Sequence, residues 1–277
     1  MLWLLLLQVW VSCLWLGQSE VVTSFESSCP QFFYQSTPPN NTLKPQNPAW
    51  ICQRYNNSYH YATLYDRDLR IPVYSAYIYL HQNGSRPTIT WMLEPQLINR
   101  TCPSDMRTVS AIPQKCISNL SAINQSQAVN TDYDNLKGLD RGHLNPSGHH
   151  ESNSSAQIAT FTLTNVVPQS SSLNRGEWRS YEQKTMPQRS QNCTKTYVIA
   201  GAVPGNTSIA NGRVNVPSHI WASACCKMKN NNTSAWAVIA KNNKNEVQNL
   251  TLGQLETRLS NLYNRGPISL FHSDCPR

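Results

Sequence analysis

The sequence predicts an α+β protein, built on a central, largely antiparallel sheet flanked by helices. Three observations point there. Strand-like segments rich in β-branched and aromatic residues recur from Tyr61 to Ala240. A leucine row at helical spacing (Leu252, Leu255, Leu259, Leu262) follows them. Between these lies a short strand–strand–helix stretch that holds most of the reactive side chains. The 277 residues suffice for a well-filled core, and no Gly/Ser run, charge block or internal repeat divides them. Residues 20–277 therefore read as a single domain.

The chain starts with an almost wholly apolar run, Met1 to Leu16, too short for a comfortable membrane span. Gly17 and Ser19 are small residues at the two cleavage-determining positions. Residues 1–19 are expected to be a secretory signal peptide, leaving Glu20 as the mature start; the alternative is an uncleaved anchor. Cys13 would leave with the leader, and eight cysteines would remain. An even number in an exported chain points to disulfides, with 105 pairings open. No Cys-x-x-Cys occurs, and Cys225-Cys226 lacks zinc-ligand spacing. Asn-x-Ser/Thr acceptors stand at Asn40, Asn56, Asn83, Asn99, Asn119, Asn124, Asn153, Asn192, Asn206, Asn231, Asn232 and Asn249. Each is an expected surface position of a glycoprotein. Asn153 follows so soon after His143 that a glycan there would border any site built on that histidine.

The formal net charge is +8, and residues 1–19 contribute none of it. A basic balance favours a polyanionic partner. Charged residues are only 14% of the chain, so charge alone leaves a basic protein with no such partner equally open.

From Phe25 to Pro48 five prolines make the chain irregular. Tyr61–Leu64 and Ile71–Leu80 read as strands, and after a loop comes Arg86–Pro95. Then Asp140-Arg141-Gly142-His143 sets an acid, a base, a glycine and an imidazole side by side, with Pro146 and Gly148 breaking regular structure just beyond. An imidazole at the lip of such a turn suits a general base, since its ordinary pKa is about 6.5. Ala159–Gln169 alternates and reads as a strand, and a helix is expected to begin near Asn174. Thr196–Val203 reads as a buried strand ended by Pro204-Gly205, and Val214–Ala224 and Ser234–Ala240 as two more. Thr251 and Gln254 form a capping-box pattern before the final helix.

Taken singly, these residues have plain readings. A lone histidine after glycine is usually a loop residue. Asn174 and Glu177 have the spacing of a helix capping box, which is compatible with a second role because an amide oxygen has two lone pairs. Trp178 and Tyr181 read as a core pair, and Glu182 as a solvated helix residue. His149-His150 invites a zinc site with His143, but adjacent side chains on an extended segment point to opposite faces and no third ligand has sensible spacing.

Together, the Asp-Arg-Gly-His box, Thr164-Asn165-Val166-Val167-Pro168-Gln169 and the Leu173-Asn174-x-Gly-x-Trp-x-x-x-Glu182 helix resemble the DNA/RNA non-specific endonucleases. The continuation His143-Leu144-Asn145-Pro146-Ser147-Gly148 and the stretch Ser28–Phe33 are similar to the endonuclease domain-containing 1 type. The resemblance runs from about Phe25 onward and implies a ββα-metal active-site module at one edge of the sheet. It further implies a secreted, metal-dependent hydrolase of DNA and RNA phosphodiesters using one Mg²⁺ or Mn²⁺ ion. In that reading His143 is the general base, and Asn174 the single direct protein ligand. Glu182 orients a water of the hydrated ion, Arg141 supports the site electrostatically, Asn165 positions its neighbours and Asp140 fixes the loop. Arg86 is the best match to a phosphate-holding arginine near Trp91, although as a loop residue it also reads as merely solvated. Met186 stands where some relatives carry a phosphate-contacting arginine; Arg175, Arg179 or Lys184 are the available substitutes. Neither stable membrane association nor an obligate protein partner is expected. The alternative reading is a catalytically weak or inactive nuclease-fold glycoprotein that binds polyanions or a protein.

Overall fold

The computed structural model describes residues 20–80, 87–116, 120–134, 136–152 and 154–277. The expected leader, Arg86 and the acceptors Asn83, Asn119 and Asn153 lie outside the described residues. The strands are β1 (Val21–Val22), β2 (Pro48–Tyr55), β3 (Ser58–Asp66), β4 (Ile71–Tyr79), β5 (Leu139–His143), β6 (Val166–Ser170), β7 (Cys193–Val203), β8 (Thr207–Ile209), β9 (Val214–Val216), β10 (His219–Met228), β11 (Thr233–Lys241) and β12 (Gln248–Leu250). Eight of them form one sheet in the order β1-β2-β3-β4-β7-β10-β11-β12. Every neighbouring pair in it is antiparallel. β5–β6 and β8–β9 are separate two-stranded pairs.

The central strands bury both faces. On β7, Val198, Ala200 and Ala202 join one apolar cluster while Ile199 and Val203 join the other. This two-sided burial is why Thr196–Val203 is nearly continuously apolar rather than alternating. One face is covered by Phe25, Phe33 and the final helix Leu252–Tyr263, whose Leu252, Leu255 and Leu259 are buried. Burying each of these leucines contributes roughly 1.5–3 kcal/mol. The helix starts as its sequence indicates: Gln254 N–H donates to Thr251 Oγ1 at 3.2 Å, and Thr251 N–H donates to Gln254 Oε1 at 2.9 Å. The other face carries β5–β6 and the helical run Ser171–Ser190, through Val166, Leu173, Trp178, Tyr181 and Met186. Trp178 and Tyr181 are core residues, as their spacing indicated, with ring centroids 5.6 Å apart.

Three expectations need correction. β2 arises directly from the proline-rich stretch and pairs with β3 through a two-residue turn, Asn56-Asn57. Both asparagines take left-handed φ (50° and 62°), the conformation that matches the twist of a tight hairpin. Val214–Ala224 is two strands, β9 and β10, separated at Pro217, which has no N–H for a ladder. Ala159–Gln169 becomes a strand only from Val166. Before that, Thr162 and Thr164 turn inward and each donates its hydroxyl to Glu94 Oε1 at 2.7 Å. Their polar alternation satisfies a buried carboxylate, not solvent.

The eight cysteines pair as Cys29–Cys52, Cys102–Cys116, Cys193–Cys226 and Cys225–Cys275. Cys225 and Cys226 are neighbours on β10, so their side chains leave on opposite faces. Cys226 ties the strand to the first residue of β7, and Cys225 ties it to the C-terminal segment. Asn40, Asn56, Asn99, Asn124, Asn192, Asn206, Asn231, Asn232 and Asn249 are all exposed. No described helix is long and apolar enough to cross a membrane.

Candidate active site

β5 and β6 pair in the register Leu139↔Ser170 to His143↔Val166, and the helix Ser171–Arg175 begins at the next residue. Hairpin and helix therefore form one ββα unit, and chain continuity brings Asn174 back beside β5. Gly142 makes this pairing possible: a Cβ there would overlap the side chain of the buried Gln169. His143 ends β5, with its ring 5.3 Å from both Trp91 and Phe161. Trp91 reaches it because the next residue, Met92, bridges to Thr162.

Asp140 organises the helix end of the unit. Its carboxylate accepts from Ser171 Oγ (2.9 Å), Asn174 Nδ2 (3.0 Å), Arg175 Nε (2.8 Å) and Arg175 Nη2 (2.6 Å). Burial opposes ionisation of this carboxyl, but the bonds from Arg175, Asn174 and Ser171 outweigh it and hold it below the usual carboxylate range. Asp140 thus ties β5 to the first helical turn, Asn174 included. With the amide nitrogen committed to Asp140, the atom of Asn174 available to a cation is the carbonyl oxygen. The capping-box reading of Asn174 and Glu177 fails. Asn174 lies inside the helix Ser171–Arg175, and the Glu177 N–H is met instead by Asn245 Oδ1 at 2.8 Å.

An open cleft of about 1190 Å³ is lined by His143, Asn174, Glu182, Arg141, Arg175 and Arg179, together with Asp140, Tyr79, Trp91 and His149. The fold thus brings together six of the eight residues singled out from sequence. Arg86 lies outside the described residues. Asn165 is not in the cleft: it is fully buried behind it, and its contacts are with the loop that follows His143. Met186 is also fully buried, so that helix position faces the core and not the cleft. Lys184 is exposed outside the cleft lining.

The cleft cations differ. Arg141 is half-buried between Trp91 and Tyr133, 5.5 and 5.4 Å from their ring centres, and donates to the Asn130 carbonyl at 3.2 Å. Burial lowers its pKa. Arg175 is exposed but already engaged by Asp140. Arg179 is exposed and donates to Gln183 at 3.1 Å.

Glu182 sits on a π turn, Tyr181–Thr185, within the helical run. Burial pushes its carboxyl up to about 8, with Trp178 and Arg179 opposing only in part. The sign follows: this group stabilises the fold fully below about 4.5, and that contribution is lost as pH rises through about 8. A cation beside Glu182 reverses the effect by favouring the carboxylate. Thermal melts in chelator should therefore show a decline in Tm between pH 5 and 9 that Mg²⁺ lessens and Glu182→Gln removes in part. A chelated melting profile identical in the variant would show that Glu182 ionises freely.

His149 and His150 are both buried. His149 bridges the Tyr77 hydroxyl (2.9 Å) and the backbone carbonyl of Glu182 (3.1 Å), and so ties the π turn to the sheet. His150 contacts Asn145 Oδ1 at 2.7 Å, and burial pushes its pKa down to about 3. Both are structural, and among the described residues no group of three or more His, Cys, Asp or Glu is placed to hold a metal. The sequence reading missed this role of His149; its only signal was its place three residues after Pro146.

A ββα unit on the face of an antiparallel sheet, with an imidazole and a helix-borne amide on one cleft, defines the ββα nuclease class. The chain belongs to the DNA/RNA non-specific endonuclease family, whose model matches residues 38–272. It is 31% identical over 202 residues to the human endonuclease domain-containing 1 protein, covering 72% of this chain and 38% of that protein. It is 38% identical over 71 residues to bovine mitochondrial endonuclease G, covering 26% of this chain and 22% of that one. The chain thus spans well under half the length of these relatives. Among solved structures, the crystal structure of the EndoG/EndoGI complex matches with a TM-score of 0.53 at 17% identity, over 77% of this chain and 85% of that one. At that identity the likeness concerns the fold.

Proposed function

We propose that the protein is an exported, metal-dependent endonuclease that hydrolyses DNA and RNA phosphodiester bonds. The observation that carries this reading is the meeting of His143, Asn174 and Glu182 on one cleft, with the Asn174 amide held by Asp140. One amide oxygen and one carboxylate suit a hydrated Mg²⁺ or Mn²⁺, which keeps several waters and needs few protein ligands. The donor set does not suit zinc, which takes several nitrogen or sulfur ligands. Once bound, the ion would stabilise negative charge on the phosphate and on the leaving oxygen.

The chain's own groups do the rest. His143 takes the proton of the attacking water at a ring nitrogen, a task that suits an imidazole. Trp91 and Phe161 limit the tilt of that ring. Glu182 accepts hydrogen bonds from water near Asn174. Arg141 supplies a fixed positive charge, and Arg179 and Arg175 bind backbone phosphates at the rim. Backbone contacts carry little base information, so sequence preference is slight. Residues 1–19 act as a cleaved leader, and the four disulfides fit an oxidising compartment.

The test is a plasmid and RNA digestion assay of purified protein, with and without chelator, run beside Asn174→Ala. Chelator should abolish cleavage. Asn174→Ala should raise the Mg²⁺ needed for half-maximal rate by about 10-fold or more, the loss expected for a metal-site contact. Equal chelator-resistant activity in both proteins would point to a contaminant and remove the proposal. The buried Met186 favours one second reading, a polyanion binder without turnover. Salt-sensitive retention of DNA with no cleavage in Mg²⁺ or Mn²⁺ would select it.

A further inference from the structure

Outside the cleft lining, the first described residue is buried beside other carboxyl groups. Glu20 is fully buried with its carboxyl against that of Glu94, and among the described residues neither of its oxygens accepts from an N–H or hydroxyl donor. Its charged neighbours are Glu94, Asp105 and Arg54. Arg54 is already paired with Asp105 at 2.6 Å. Glu94 is also fully buried: its Oε1 accepts from Thr162 and Thr164, while its Oε2 has no partner. A further acceptor without a donor is Oε1 of the buried Gln53, whose Nε2 donates to Thr164 Oγ1 at 2.9 Å. Gln53 follows Cys52, whose N–H donates to the Glu20 carbonyl at 2.8 Å. This corner therefore holds four buried acceptor atoms against one buried donor without a partner, Arg54 Nε, and its carboxylates outnumber its cations. Such groups stay buried only when paired.

The nitrogen of Glu20 lies in the same corner and donates to Gln96 Oε1 at 2.9 Å. As a peptide nitrogen it has one N–H and no charge. As a chain terminus it would carry three N–H donors and a positive charge. The small residues Gly17 and Ser19 independently mark the preceding bond for cleavage.

We propose that this corner is a built receptor for the protein's own α-ammonium group. A signal peptidase hydrolyses the Ser19–Glu20 amide with one water. Ser19 leaves as a carboxylate, and the new Glu20 amine takes up a proton. The ammonium keeps its bond to Gln96 and gives its remaining hydrogens and its charge to the Glu20–Glu94 acceptors. Removal of the leader thereby locks β1 onto the sheet edge, and Glu94 passes that anchorage to the Thr162–Thr164 segment ahead of β6. The inference rests on the proposed leader and not on the nuclease reading, so its test reads no cleavage of nucleic acid.

The full chain is expressed in a secreting animal cell line, and the purified product is analysed by intact mass and by an aldehyde reagent selective for N-terminal amines. The mature chain should begin at Glu20, and its amine should label at least about 100-fold more slowly in the folded protein than in denaturant, because labelling requires local opening. A different first residue, or folded and unfolded rates within about threefold, overturns the proposal. In a second arm, Gly-Ser-Gly is inserted between Ser19 and Glu20 to move the amine away. This should lower Tm at pH 7 by about 5 °C or more, and Glu94→Gln should shrink the difference. Equal Tm in inserted and natural chains overturns it. So does a parallel loss of Tm in both as pH rises, which would mean that the carboxyl pair simply shares a proton. If the inserted chain is not secreted, the labelling ratio of the natural chain decides.

Discussion

Replacing His143 by alanine should lower Mg²⁺-dependent plasmid cleavage by about 10²- to 10⁴-fold, the range that a positioned general base supplies. The fold should survive. His143 is half-buried at the end of β5, and its ring touches Trp91 and Phe161 at the cleft wall, away from the centre of either core cluster. Removing the half-buried ring opens space beside Trp91 and the buried Phe161 at the cleft, so a Tm fall of a few degrees is expected. His143→Asn fills part of that space, keeps a polar group and lacks a base, and so separates packing from chemistry. Both variants should be inactive with near-native melts. Cleavage above about a tenth of the natural rate in either would assign the proton transfer to another group.

The second large effect is expected at Asn165, a residue buried behind the cleft. Its Nδ2 donates to the carbonyls of Asn145 and Thr160, each at 3.0 Å. Its Oδ1 accepts from the Asn145 N–H at 3.0 Å and from Ser75 Oγ at 2.9 Å. Ser75 stands in the middle of β4 and shares a hydrogen bond with Thr63 on β3. One amide thus fastens the loop after His143 to the sheet. Asn165→Ala strands several buried polar groups, each costing about 1–3 kcal/mol. A total on the order of 3–5 kcal/mol corresponds to a Tm loss of roughly 10 °C. Cleavage measured well below the new Tm should still fall, because the His143 loop has lost its anchor. Asn165→Asp should do no better, since a carboxylate faces two carbonyls that need a donor. A native melt with reduced cleavage would instead move Asn165 into direct chemistry.

The two variants mark where sequence reading sufficed. Asp140–His143, Asn174 and Glu182 were legible because the family's spacing between box, strand and helix is specific, although each residue alone had a plain explanation. The strand β7 and the final helix were legible from apolar pattern and cap. Asn165 was legible as a motif residue that positions its neighbours, but its partners were not, because they are set by chain segments that sequence leaves unplaced. The same holds for Thr162 and Thr164. Their alternation reads as part of a strand until Glu94, about seventy residues earlier, is brought against them. Arg175 shows the same limit: sequence offered it as a cation for phosphate, and its pairing with Asp140 is set by the tertiary structure.

What the sequence determined by itself was local and periodic: the α+β class and the core-facing rows of β7 and the last helix; the cluster of reactive residues on a ββα unit came from resemblance to the family. Short-range sterics and burial pattern fix such features within a few residues of chain. What only the tertiary structure decided was pairwise and distant: the four disulfides, the inward turn of Asn165, the grip of Asp140 on Asn174, and the raised Glu182 carboxyl. Those depend on which groups share a desolvated volume, and that is settled only when the sheet closes over residues far apart in the chain.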